Sequence, residues 1–108
     1  MRYGLLIFMV LLISTTPALA DGEAIFKSQG CTSCHRPDKS TKVNPSLAEI
    51  AQSYQDKTDQ LVRYLNGDAD AIVKPEKAAM MKRYVERTKK LSDAERKALA
   101  EYILSNGK

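Results

Sequence analysis

The five residues Cys31-Thr32-Ser33-Cys34-His35 constrain this chain more than any other stretch, because they hold both of its cysteines and its single histidine. Two thiols three residues apart leave one side of a helical turn together. C-x-x-C-H is the spacing at which a c-type haem is attached. Each thiol adds to one vinyl group of the porphyrin, and the histidine that follows lies under the ring, where a nitrogen can ligate the iron. Three other uses of these residues fit less well. A thioredoxin-like redox pair sits inside a βαβ pattern, and the chain offers no convincing strand run. A structural zinc site needs four ligands, so two cysteines and one histidine leave it one short without a carboxylate. A disulfide across two intervening residues closes too small a loop to stabilise much.

With both cysteines in one motif, no disulfide framework remains to support the small core of a 108-residue, single-domain chain. A buried macrocycle meets that need, since it supplies a large apolar body for short helices to pack around. The first residues look like a leader rather than part of the fold. Met1-Arg2 is a positive n-region, Gly4 to Ile13 an apolar run of ten residues, and Ala18-Leu19-Ala20 a small-residue cleavage site. The run is short of the roughly 20 residues needed to span a bilayer, and Pro17 interrupts its far flank. Residues 1–20 are therefore expected to be a cleaved secretory signal peptide, and 21–108 a single domain working in the periplasm with no stable membrane insertion.

From Asp21 the pattern is one of short helices. Asp21 is an N-cap, Ala24, Ile25 and Phe26 form an apolar group, and Gly30 stops the helix just before the first cysteine. Residues 36–44 are polar and read as a surface loop ending at Pro45. Pro45 has no N–H, but its carbonyl can accept from the second ring nitrogen of a ligating histidine, or the residue can simply start the next helix. Ser46 with Glu49 matches a capping box ahead of Leu47, Ile50, Ala51 and Tyr54. A further helix runs from about Thr58 through Leu61, Val62 and Leu65 to Asn66-Gly67. Tyr54, Tyr64 and Arg63 are either propionate partners or surface-directed packing groups.

Pro75 suits the first turn of a helix from Glu76 to about Lys90. It carries Met80 and Met81, and a thioether is the usual second axial ligand of haem electron carriers. Ala78, Met81 and Val85 share a stripe, whereas Met80 shares its side with Glu76, Lys77, Arg83, Tyr84 and Arg87, so Met81 rather than Met80 is expected to point inward. The last helix opens with a capping box at Ser92 and Glu95 and presents Ala98, Leu99, Tyr102 and Ile103, a face left to pair with the first helix.

Gly22 to Phe26, Cys31 to His35, Asn44-Pro45-Ser46-Leu47 and Leu91 to Glu95 leading to Leu99, Tyr102 and Ile103 together resemble a small bacterial class I cytochrome c, over essentially all of residues 21–108. The resemblance implies an all-α fold of four to five short helices around one covalently attached haem c. It implies thioethers at Cys31 and Cys34, His35 as proximal ligand with Pro45 accepting from its ring N–H, and Phe26 and Tyr102 at the contact of the terminal helices. Asn44 stands where the family usually has glycine. Ten residues separate Met81 from Ser92, which resembles a subgroup whose methionine ligand lies on an additional helix, at the position of Met81.

Loss of Arg2 with the leader lowers the formal net charge from +4 to +3, with 16 basic against 13 acidic residues. No interleaved basic and aromatic stripe suggests nucleic acid. Lys74, Lys77, Lys82, Arg83, Arg87, Lys89 and Lys90 crowd one segment, either a solvated face or a patch that steers an acidic-faced redox partner. The expected function is one-electron transfer between respiratory complexes and terminal oxidoreductases by a monomer that is not an enzyme. A haem-bearing subunit of a larger oxidoreductase, and a haem-based ligand sensor or peroxidase-like protein, are the alternatives.

Overall fold

The computed structural model describes residues 21–107; the expected signal peptide, 1–20, lies outside the described residues, as does Lys108. Five α-helices follow one another: α1 (Gly22–Ser28), α2 (Leu47–Ser53), α3 (Thr58–Leu65), α4 (Ala78–Thr88) and α5 (Asp93–Leu104). Single 3₁₀ turns occupy Cys31–Ser33 and Pro75–Lys77, and no strand occurs among the described residues. The fold is all-α.

Local chemistry sets the helix ends. Asp21 Oδ1 accepts the Glu23 and Ala24 amides at 3.0 and 3.3 Å and starts α1. At α5 the capping box is complete: Ser92 Oγ accepts from Glu95 N–H at 3.1 Å, and the Glu95 carboxylate accepts from Ser92 N–H at 3.0 Å. At α2 only half of the expected box forms. Ser46 Oγ accepts from Glu49 N–H at 3.0 Å, but Glu49 takes the Ser40 hydroxyl at 2.8 Å instead, and Ser40 Oγ accepts the Ser46 amide at 3.0 Å. The hydroxyl of the preceding loop has inserted itself into the box. α3 ends in a Schellman turn, with Asp68 N–H donating to Arg63 and Gly67 N–H to Tyr64, at 2.8 and 2.9 Å, and Gly67 at φ 75°. α4 begins later than its pattern suggests, because Pro75 opens a 3₁₀ turn closed by Lys77 N–H to Lys74 O at 2.8 Å.

The core gathers on α5, against which α1, α2 and α3 all pack. Leu99 and Ala100 are fully buried, with Leu47, Leu61, Tyr54, Phe26 and Ile103 around them. Three neighbours explain why the buried face of α5 is wider than its apolar stripe. Where α1 crosses α5, a Cβ at Gly22 would run into the Ala98 carbonyl oxygen and sit 2.7 Å from the Tyr102 Cβ, so the crossing requires glycine. One helical turn on, the Phe26 and Tyr102 rings meet at 5.5 Å between centroids and 55° between planes. This contact of the terminal helices closes one side of the molecule.

Candidate functional site

Gly30, at φ 79°, ends α1 and turns the chain into the 3₁₀ turn that carries the cysteines. Its Cys34 and His35 amides both donate to Cys31 O, at 3.3 and 3.0 Å. Cys31 is half-buried and Cys34 exposed, and both are free thiols. Burial pushes the Cys31 thiol up to about 11, so it stays protonated at neutral pH.

The loop that follows folds back because α2 needs acceptors for its first-turn amides. Leu47 N–H donates to Arg36 O at 2.8 Å and Ala48 N–H to Pro37 O at 3.0 Å. Thr41 tightens the loop further, its Oγ1 accepting the Asn44 amide at 2.9 Å. Asn44 itself is not among the residues with a left-handed backbone, so glycine is not required there. This return brings the Pro45 carbonyl to 2.8 Å from His35 Nδ1. A carbonyl can only accept, so Nδ1 carries the hydrogen and the neutral ring keeps its lone pair on Nε2. The imidazole is 8 % exposed and thereby fixed in both tautomer and orientation.

Cys31, Cys34 and His35 border a cavity of about 360 Å³. Its inner wall is apolar, with Leu47, Leu61, Leu65, Leu99 and Ile103, and Tyr54 and Tyr64 line it as well. Arg63 does not border it; its guanidinium donates to Asp68 O at 3.2 Å. Burial holds the Tyr54 and Tyr64 hydroxyls in their neutral form to higher pH than usual. α4 and the turn before it also line the cavity. Both Met80 and Met81 border the cavity, Met80 being 57 % exposed and Met81 half-buried. Ala78, Met81 and Val85 lie toward the body of the protein as their stripe suggests, but the charged side of α4 also reaches the cavity through Lys77, Arg83 and Tyr84. Lys74, in a left-handed conformation at φ 46°, bridges the rim by donating from Nζ to Thr41 O at 2.9 Å.

These residues fit a haem. The cavity is largely apolar, two thiols stand at its border, a free imidazole lone pair is held by a fixed ring, and two thioethers line it as well. An all-helical fold closed by its terminal helices, around a cavity with C-x-x-C-H at its border, defines a small class I monohaem cytochrome. The chain belongs to the cytochrome c family, whose model, described as "Cytochrome c", matches residues 19–107. Cytochrome c-553 of Nitratidesulfovibrio vulgaris (strain Miyazaki F) is 38% identical over 84 residues, 78% of this chain and 74% of that protein. Cytochrome c-551 of Stutzerimonas stutzeri is 50% identical over 40 residues, 36% of this chain and 38% of that protein. Members of the family carry covalently attached haem c and transfer electrons.

Two buried residues at the far end of the methionine-bearing helix escaped the sequence pattern. Thr88 and Arg96 are both buried where α4 ends. Thr88 extends the stripe of Ala78, Met81 and Val85 by three positions, a signal that could have marked it. Nothing in the pattern marks Arg96.

Proposed function

We propose that the chain is a periplasmic one-electron carrier with a His/Met-ligated c-type haem, residues 21–108 forming its one domain after removal of 1–20. The bound haem would supply a ferric–ferrous couple. Cys31 and Cys34 would hold it through thioethers, and His35 would bind the iron through Nε2. Pro45 keeps that nitrogen free by accepting the Nδ1 hydrogen, which fixes the tautomer and orientation of the ring. Leu47, Leu61, Leu99 and Ile103 exclude water and lower the local dielectric. The packed helices limit rearrangement when one charge is added or removed. Met81, on α4, would hold the iron through its thioether sulfur. The observation that carries the reading is the His35–Pro45 hydrogen bond, which leaves Nε2 free on a ring that borders the same cavity as both thiols and the α4 methionines.

Met80 is the second reading for the sixth ligand, favoured by its exposed side chain on the cavity border. Expression with a cytochrome c maturation system tests both. Met81→Ala should lower the reduction potential and admit carbon monoxide to the ferrous protein, while Met80→Ala leaves both unchanged. The reverse pattern makes Met80 the ligand. Ready carbon monoxide binding by the wild type would turn the reading to a ligand sensor or peroxidase-like protein. Haem extracted from the wild type by acid and organic solvent would exclude thioether attachment.

No helix among the described residues is long and apolar enough to cross a membrane. In cell fractions the haem protein should appear in the periplasm with Asp21 as its first residue. Elution of native protein at the size of a small monomer supports a free carrier; co-elution with a larger assembly supports the subunit reading.

A further inference from the structure

Arg96 is a charged side chain only 5 % exposed, and its bonds converge on the C-terminal end of α4. Nε donates to Thr88 O at 3.1 Å, while Nη2 donates to Lys89 O at 3.1 Å and to Leu91 O at 2.6 Å. Nη1 donates to the fully exposed Asp93 carboxylate at 2.8 Å. The carbonyls at a helix end lack intrahelical partners and form the negative pole of its dipole, so a planar cationic fork answers both needs at once. Thr88 extends the tie in the other direction, its hydroxyl donating to Leu65 O at the end of α3 at 2.5 Å.

The clamp matters because α4 buries little against the other helices. Thr88 is the one buried residue of α4, and Lys77 gives its first turn no side-chain cap. Its packing against α3 is sparse. Among the protein's own groups, the hydrogen bonds from Thr88 and Arg96, with a longer one from Arg87 Nη1 to Gln29 O at 3.4 Å, are therefore what ties α4 to the other helices. Met80 and Met81 sit about two turns away on the same rigid rod.

We infer that Arg96 is a positioning residue that holds the methionine-bearing helix against α3 and α5 and sets how readily that helix opens. The consequence for the iron rests on the reading that α4 supplies the sixth ligand.

Haem-loaded wild type, Arg96→Lys and Arg96→Met test the clamp by amide hydrogen exchange resolved by helix. Lysine keeps the charge and the stem but cannot serve three carbonyls in parallel. In Arg96→Met the α4 amides should exchange roughly 100-fold faster, with Arg96→Lys intermediate, while α1 and the second half of α5 keep their protection. Carbon monoxide binding to the ferrous protein should rise in the same order. Unchanged α4 protection in either variant, or an equal loss across α1, α4 and α5, would overturn the inference; the lysine variant decides this by itself. Loosened α4 with no gain in carbon monoxide binding would uphold the clamp and sink the α4 ligand instead.

Discussion

His35 draws its directionality from a backbone group. Because the acceptor is the Pro45 carbonyl and not a side chain, Pro45→Ala should leave the haem spectrum unchanged and lower stability by only about 0.4–1 kcal/mol through the freer unfolded chain, read in a denaturant titration. Gly22 is less tolerant. A methyl group there collides with the backbone of α5 and not with a movable side-chain tip. Gly22→Ala should cost about 1–3 kcal/mol, measured as a shift in the denaturation midpoint with unchanged slope. The motif residues, the Gly30 turn and the Asp21 cap could be read directly from the chain, since each depends on near neighbours. The diversion of Glu49 to Ser40 could not, because it needs the loop to have already folded back.

α1, α2 and α5 open on side-chain caps, and α3 and α4 do not. Ser92→Ala should cost about 1 kcal/mol, seen in thermal or denaturant unfolding. The Ser92 N–H that Glu95 accepts holds its carboxyl below the ordinary 4.5. The folded form binds the proton less readily than the unfolded chain, so this contribution is complete above the ordinary value and is lost as pH falls through the depressed one. Glu95→Gln retains an acceptor but cannot titrate. The variant should therefore show a smaller loss of stability than the wild type between neutral and acidic pH, and identical losses would remove Glu95 from the acid response. α4 differs in kind, its hold coming from bonds at its far end.

At the scale of the whole molecule, charge is arranged about the cavity. Lys74, Lys77 and Arg83 border it, whereas Arg87 is engaged with Gln29 O and the Tyr84 ring, and Lys89 lies near Glu86. We expect transfer to an acidic-faced partner to slow as salt rises, since exposed charges are screened over about 8 Å at physiological ionic strength. Lys77→Glu or Arg83→Glu should slow it more than Lys82→Glu, measured by stopped flow at low salt. A rate indifferent to salt would reduce the patch to a solvated face.

The sequence alone determined the helices, most of their caps and the attachment motif, because short-range spacing and side-chain chemistry carry that information; the contact of Phe26 with Tyr102, 76 positions apart, was implied by the family resemblance. The sequence also named both methionines, and it sorted them by a stripe that treats a helix as having one inner face. Only the tertiary structure decided that α4 presents two sides to the cavity, that Arg63 turns away to Asp68, and that Arg96 is buried. Each of these outcomes depends on where a distant carbonyl or wall comes to rest. For Arg96 the physical reason is plain: a guanidinium reads as a solvent group until three chain carbonyls converge on it, and their convergence is a property of the folded helix ends.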